Sequence, residues 1–315
     1  CTVVGATGFH RHLGEDVGEL AGIGSLGIAL RPKNDLEVLL HETKPDIVIN
    51  CAEHVFSEVF PTLEICARNG VNVIEMSEDA CYPAIREPEL TARLDALCKE
   101  NNCSILGSGY QDVAWNACAM AIAGCSLGVS KIYGEEWMIV DEFAHEAAFL
   151  TGSGLTREEF DANLGHGSAL EGFQFVINCL ADELELTPTN IYQKVDFLPL
   201  DSDFTVPTTG ETVEAGRAWG SRIVYRMETI EGVTLEGMFY GGYSGGREVN
   251  PRVFWQIEGE PNASILVELS DNEITTATNC VNRIPDVINA RAGFLTLKDV
   301  PMLRARTHPL TYYVK

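Results

Sequence analysis

The sequence predicts an α/β protein, with a Rossmann-type parallel sheet followed by a second α+β domain built on a mainly antiparallel sheet. Three observations carry that expectation. Between residues 44 and 109, short β-branched runs alternate with helical patterns over short connections. Further along, long alternating runs are separated by glycine, proline and asparagine. A chain of 315 residues with 45% hydrophobic content also has enough apolar mass for two cores.

The elements follow in order. The opening CTVVGATGFHRHLG reads first as strand, glycine turn and helix. What comes next, FHRHLGEDVGELAGIG, has glycines at 14, 18, 22 and 24 and little apolar periodicity. Each interior glycine costs a helix about 1 kcal/mol, so a helix packed under a sheet is not expected here. KPDIVINCA (44–52) reads as a strand buried on both faces, PTLEICARNG (61–70) as an amphipathic helix and VNVIEMS (71–77) as the next strand. PELTARLDALCKENN (88–102) is helical in spacing, and CSILGSG (103–109) is a buried strand ending in glycines. A helix through NACAMAIAGCSLG leads to the alternating run KIYGEEWMIVDEF, and helical stretches follow at REEFDANL and SALEGFQFVINCLADEL. From Gln193 to Asp271, runs such as RIVYRMETIEG, VTLEGMFYGG, PRVFWQIEG and ASILVELS predict antiparallel hairpins. TTATNCVNRIPDVINARAG is helical in pattern apart from Pro285 and is expected to pack back on the first domain. The predicted domains are 1–112 with 274–315, and 113–273.

Lys+Arg of 22 against Asp+Glu of 46 leaves a net charge of −24, a field that repels nucleic acid and anionic membranes. Nothing approaches the roughly 18 unbroken apolar residues of a membrane span, and no leader pattern is seen. The ten cysteines lie scattered, mostly in apolar runs, without CxxC or metal-ligand spacing. Buried, reduced thiols in a cytoplasmic protein without a metal are the expectation.

In a doubly wound fold the ligand lies at the carboxyl ends of the strands, facing the domain cleft. Three strand ends qualify. Asn50, Cys51 and Ala52 would lie beside a dinucleotide's ribose or nicotinamide. IEMSEDACYP places Glu78 and Asp79 at a strand end, where a carboxylate facing a semi-apolar cleft has a raised pKa and serves in proton transfer. The plainer alternative for that acid pair is a solvated turn or helix cap. LGSGYQDVAWN brackets Ser108 with Gly107 and Gly109 and continues to Tyr110, Gln111 and Asp112. Of the aromatic residues Trp115, Trp137, Phe143, Phe149, Phe173, Tyr240 and Trp255, most serve as core and a few shape an apolar pocket.

GEDVGELAGIG (14–24), NVIEMSEDACYP (72–83), LGSGYQDVAW (106–115) and VEAGRAWGSRIVYRM (213–227) together resemble the native-type NAD(P)-dependent amine dehydrogenases. These are relatives of 2,4-diaminopentanoate dehydrogenase among the dihydrodipicolinate reductase-like families. The resemblance covers nearly the whole chain, and its most specific motif is GSGYQD. It implies reductive amination of a ketone or aldehyde with ammonia, the reverse deamination of a primary amine, and a homodimer. It implies Glu78 as the catalytic acid-base residue, with Asp79 as the alternative register. The candidate cofactor residues are then Thr7, His10, Arg11, His12, Asn50, Cys51, Ala52, Gly107, Ser108, Gly109, Gln111 and Asp112. The candidate substrate pocket draws on Tyr110, Trp115, Phe143, Phe149, Phe173, Tyr240 and Trp255.

The resemblance also reinterprets the opening glycines. Cys1–Gly8 corresponds to the family's second strand and Gly14–Gly22 to the loop after it. The family's first strand, fingerprint turn and helix have no counterpart in these residues, so either the chain is a fragment or residues precede Cys1. A loop after the second strand faces the adenosine ribose, where basic residues suit the 2′-phosphate of NADP and an acid suits NAD. Thr7, His10, Arg11 and His12 therefore favour NADP, with NAD possible; the alternative is a solvated basic turn. The paired-histidine motif and lysine of true dihydrodipicolinate reductases are missing from NLGHGSALEG, which disfavours a dicarboxylate substrate. His145 and His166 read as surface or hinge histidines.

Overall fold

The computed structural model describes the chain except His54, 143–144, 165–171, 248–250 and 270–271, and also without the side chains of 145–147 and 272. The chain divides into two compact units, Cys1–Gly109 with Thr276–Lys315, and Tyr110–Thr275.

In the first unit, β1 (Ala6–Gly8) pairs in parallel with β2 (Leu30–Pro32), and between them lies a long loop holding only the four-residue α1 (Val17–Leu20). The glycines thus mark a loop. After α2 (Leu36–Thr43) comes β3 (Ile47–Asn50), then α3 (Phe56–Arg68), β4 (Asn72–Glu75), α4 (Pro88–Glu100) and β5 (Ser104–Gly107). Strands β3, β4 and β5 are mutually parallel. Helix α3 buries Phe56, Val59, Phe60, Leu63, Cys66 and Ala67, a 3.6-residue stripe facing the sheet. It begins five residues earlier than the sequence pattern suggested, because Pro61 sits inside it. Pro61 and Ser57 are both exposed, so the carbonyl that Pro61 cannot bond faces water.

The second unit starts with a π-helical segment, Gln111–Ala117, that runs into α5 (Cys118–Ala123). Next come β6 (Leu127–Ile139), α6 (His145–Leu150), α7 (Arg157–Asn163), α8 (Gly172–Glu183) and β7 (Pro188–Pro199). A small hairpin of β8 (Phe204–Thr205) and β9 (Thr212–Val213) precedes β10 (Ala218–Thr229), β11 (Thr234–Gly242), β12 (Arg252–Glu260) and β13 (Ala263–Val267). The six long strands form one sheet in the order β13-β12-β6-β11-β10-β7. It is mainly antiparallel, as expected, and mixed at one pair: β6 and β11 run parallel, and the other neighbouring pairs are antiparallel. Ile132, Ile223, Tyr225, Leu235, Phe239 and Trp255 belong to the core of this unit, together with residues of α5 and α8. Two glycines make room for the large rings. A Cβ on Gly134 would lie 2.5 Å from the Trp255 ring, and one on Gly237 would lie 2.4 Å from Phe173.

The chain then forms α9 (Asn272–Ile288) and β14 (Gly293–Leu295), which adds in parallel to the free edge of β5 and completes the order β14-β5-β4-β3. Phe294 of β14 meets Phe56 edge to face at 5.7 Å, closing the core of the first unit.

Candidate functional site

Three acids follow one another at the carboxyl end of β4, and their surroundings separate them. Glu75 ends the strand with no exposed surface. Its carboxylate accepts from Asn50 Nδ2 at 2.6 Å and from the Ser77 amide at 2.9 Å. Burial raises its pKa, while these bonds oppose the shift. Its backbone oxygen accepts from the Ser108 amide at 2.9 Å, so one residue links the ends of β3, β4 and β5.

Asp79, buried to 7% exposure, accepts from the Phe56 amide at 2.6 Å and thereby satisfies an otherwise open donor at the start of α3. Between them Glu78 opens a short 3₁₀ turn, Glu78–Cys81. Its side chain is only partly exposed, and among the described residues its carboxylate has no hydrogen-bond partner. Burial, with the neighbouring Asp79 charge, pushes its pKa up to about 7. The turn is pressed tightly onto β5, since a Cβ on Gly107 would come within 2.1 Å of the Ala80 carbonyl oxygen. A carboxyl group that is half protonated near neutrality and has no internal bond is suited to exchanging protons.

Around that turn the first unit gathers Asn50, Gly107, Ser108 and Gly109. The Gly109 carbonyl accepts from Asn279 Nδ2 at 2.8 Å, and Gly109 has φ of 149°, a backbone that favours glycine. Cys51 and Ala52, just past β3, are exposed. Thr7 lies half-buried in β1, and His10, Arg11 and His12 form an exposed turn beyond that strand. His12, at φ 62°, pairs with Glu15 at 3.1 Å. Arg11 has no ion-pair partner among the described residues, whereas nearby Lys33 is paired with Glu53 and Arg31 with Asp35 and Glu42.

In the second unit Tyr110, Trp115, Phe173 and Trp255 form a chain of ring contacts, with successive centroids 5.8, 5.7 and 5.8 Å apart. Trp255 donates its indole N–H to the Ala114 carbonyl at 2.8 Å and has no exposed surface, so it is a core residue. The Tyr110 hydroxyl interacts with buried Glu136 of β6, and its pKa is raised by burial and by that carboxylate. Gln111 and Asp112 are buried in the π-helical segment. Tyr240 is not gathered with these rings: it stacks on Trp137 at 4.1 Å, and its neighbour Phe239 is the one that faces the core. Phe149 is 40% exposed. Phe143 and His166 lie outside the described residues, as does the side chain of His145. Among the described residues no cluster of potential ligands suits a metal, and no helix is long and apolar enough to cross a membrane.

Sequence reasoning missed Glu75, Glu136 and Asp16. The signals existed. Glu75 is an acid inside an apolar run, Glu136 shares the core-facing register of Ile132 and Gly134, and Asp16 is a capping-type residue in a glycine-rich stretch.

A parallel sheet with its polar residues at the strands' carboxyl ends, in a chain that also carries a unit built on a mixed sheet, is the architecture of the Rossmann-type dehydrogenases and reductases. The family model for the 2,4-diaminopentanoate dehydrogenase C-terminal domain matches residues 116–315. A solved amine dehydrogenase from Mycobacterium smegmatis is similar with a TM-score of 0.86 and 31% identity, covering 96% of this chain and 90% of that one. The 2,4-diaminopentanoate dehydrogenase of Acetoanaerobium sticklandii is 26% identical over 283 residues, 86% of this chain and 78% of its own. A shorter stretch of 71 residues is 41% identical to a 4-hydroxy-tetrahydrodipicolinate reductase of Methanocaldococcus jannaschii, over 21% of this chain and 23% of that one. The chain belongs to the 2,4-diaminopentanoate dehydrogenase family.

Proposed function

We propose that this protein is an NAD(P)-dependent amine dehydrogenase that reductively aminates small ketones or aldehydes with ammonia and deaminates primary amines in reverse. Kinship with the amine and 2,4-diaminopentanoate dehydrogenases supports the reaction class. The observation that carries the site is the Glu78 carboxylate, left without a hydrogen-bond partner among the described residues and raised to about 7.

The short side chains and glycines at the ends of β3 and β5 suit the close approach of a flat nicotinamide ring. Residues Asn50, Cys51, Ala52, Gly107, Ser108 and Gly109 would hold that end of the cofactor, and Gln111 and Asp112 are further candidates for cofactor contact. The bound reduced nicotinamide supplies the hydride. Glu78 takes a proton from ammonium, returns it to the departing hydroxyl during loss of water from the carbinolamine, and then faces the substrate iminium as an anion. Thr7, His10, Arg11 and His12 would meet the adenosine ribose, and Arg11, with no ion-pair partner among the described residues, favours the 2′-phosphate of NADP over NAD.

Tyr110, Trp115 and Phe173, with Phe143 and Phe149, would border the carbon skeleton. The charged side chain engaging Tyr110 is Glu136, an acid, which favours an amine over a dicarboxylate. Residues 1–112 with 274–315 would serve the cofactor, and 113–273 the substrate and a homodimer formed through the mixed sheet. Its strands carry half-buried Tyr133, Trp137 and Tyr240 on the register opposite to the core-facing one. The free thiols fit a cytoplasmic setting.

Steady-state kinetics of Glu78→Gln with NADPH, ammonia and a ketone tests the assignment. Turnover should collapse while cofactor binding persists, and near-normal amination would refute it.

A further inference from the structure

The loop between β1 and β2 is organised around one side chain. Asp16 Oδ1 accepts from the amides of Gly18 at 2.8 Å, Glu19 at 3.2 Å and Leu26 at 2.9 Å. Its Oδ2 accepts from the Ser25 hydroxyl at 3.0 Å and from the amides of Gly27 at 2.7 Å and Ile28 at 3.1 Å. Six donors on one carboxylate exceed what helix capping requires, since a cap satisfies only one or two amides.

The glycines make this convergence possible. Gly22, Gly24 and Gly27 have φ of 71°, 83° and 73°, and a Cβ on Gly18 would lie 2.1 Å from the Gly24 carbonyl oxygen. The cage also closes a circuit. The Gly14 amide donates to the Leu30 carbonyl at 2.8 Å, and the Leu30 amide donates to the Glu15 carbonyl at 2.9 Å. Residues 25–28, held by Asp16, lead directly into β2, which pairs with β1 at Gly8–Pro32. The turn from Phe9 to Leu13 is therefore fixed at one end by β1 and at the other by Gly14 and the cage.

We propose that Asp16 is the positioning residue for the turn His10–His12, holding Arg11 where the cofactor's adenosine phosphate binds. The proposal rests on the assignment of that turn to the cofactor. Asp16 suits the task because the Leu26 amide, with its fellow donors, holds its pKa far below the usual carboxylate range. It stays ionised wherever the enzyme works, and its charge is already spent on internal donors.

The test combines fluorescence titration with NADPH and NADH, turnover at saturating cofactor, and amide hydrogen exchange in the whole protein. Asp16→Ala removes all six bonds, Asp16→Asn retains one acceptor oxygen, and Ser25→Ala deletes a single donor. Exchange at Leu26, Gly27 and Ile28 should quicken in the order Ser25→Ala, Asp16→Asn, Asp16→Ala. The NADPH dissociation constant should rise by about two- to threefold in Ser25→Ala, further in Asp16→Asn and by about tenfold or more in Asp16→Ala, with saturated turnover unchanged. Faster exchange with unaltered affinity for both cofactors would overturn the proposal, because the cage would then be structural only. If Asp16→Ala does not fold, Ser25→Ala decides on the same two readouts. Arg11→Ala separates the proposal from the reading beneath it. If Arg11→Ala leaves NADPH affinity intact while the Asp16 series weakens both cofactors equally, the 2′-phosphate assignment falls and the placing of Arg11 with it, and the positioning of the turn for the cofactor stands. If Arg11→Ala weakens NADPH alone and the Asp16 series changes nothing, the role of Asp16 falls and the assignment stands.

Discussion

Two loops of the first unit use the same chemical group in opposite ways. After β1, the Asp16 carboxylate is saturated by six donors and is locked in its ionised form. After β4, the Glu78 carboxylate has no internal donor among the described residues, and burial pushes its pKa up to about 7. The neighbouring acids complete the contrast, since Glu75 and Asp79 are committed to Asn50, Ser77 and Phe56. The difference teaches that an acid's availability for chemistry is decided by how many backbone amides its loop turns towards it. Glycine-rich sequence lets the first loop wrap its carboxylate. A short 3₁₀ turn pinned by two other acids keeps the second one open.

The largest effect should come from the open carboxylate. Glu78→Gln should lower the rate constant for amination by about a hundredfold or more at saturating substrates, the usual scale for a positioned acid-base group. A decrease of similar size in Asp79→Asn would show that the two acids have been assigned in the wrong register. On the other loop, Arg11→Ala should raise the KM for NADPH by about tenfold and leave that for NADH within about twofold. Equal changes for both cofactors would reduce the turn to a solvated basic segment.

A third outcome reads the same contrast through stability. Folded Glu78 keeps its proton up to a pH of about 7, whereas the ordinary glutamate value, that of the unfolded chain, is 4.5. Between those values the folded state binds more protons, so this contribution to stability is full below the unfolded pKa and is lost as pH rises through the folded one. Glu78→Gln should therefore unfold later than the wild type at about pH 8, by about 1–3 kcal/mol, and show little difference at about pH 4. Denaturant titrations at both pH values would reveal a penalty at the higher pH if the carboxylate were instead stabilised as an anion. The smallest effect belongs to Asp79→Asn, which keeps an acceptor for the Phe56 amide but removes a charge beside Glu78. The inflection of kcat/KM near neutrality should move down by about half a pH unit. An upward or absent shift would mean that Asp79 does not act on Glu78 through its charge.

Much of the fold is legible in local periodicity. IVIN, NVIE and SILG announce buried strands, and the Phe56-to-Ala67 stripe announces a helix even with Pro61 inside it, although the proline hid where that helix begins. The parallel pairing of β6 with β11 is not legible, because strand partnership is decided by packing between distant segments, not by either strand alone. Glu78 stood out because it follows a strand closely, in the place where the family resemblance puts an acid. Glu75 did not, because its value lies in bonds to Asn50 on one side and Ser77 on the other. The role of Asp16 was hidden further still, since five of its six donors are main-chain amides that any sequence would supply.

The place of β6 in the sheet also governs how the second unit assembles. β10 with β11 and β12 with β13 are neighbours in sequence, so each pair can close quickly as a local hairpin. β6 lies between β11 and β12, and its Ile132 meets Leu235 about a hundred residues along the chain, a closure whose entropy must be met before the contact rewards it. Until β6 is seated, the inner edges of β11 and β12 stand open, each offering unpaired amides and carbonyls to any passing strand. Nascent or refolding chains are therefore most exposed to misassociation along this seam, and substitutions in β6 that weaken its pairing should be felt first in the yield of folded protein.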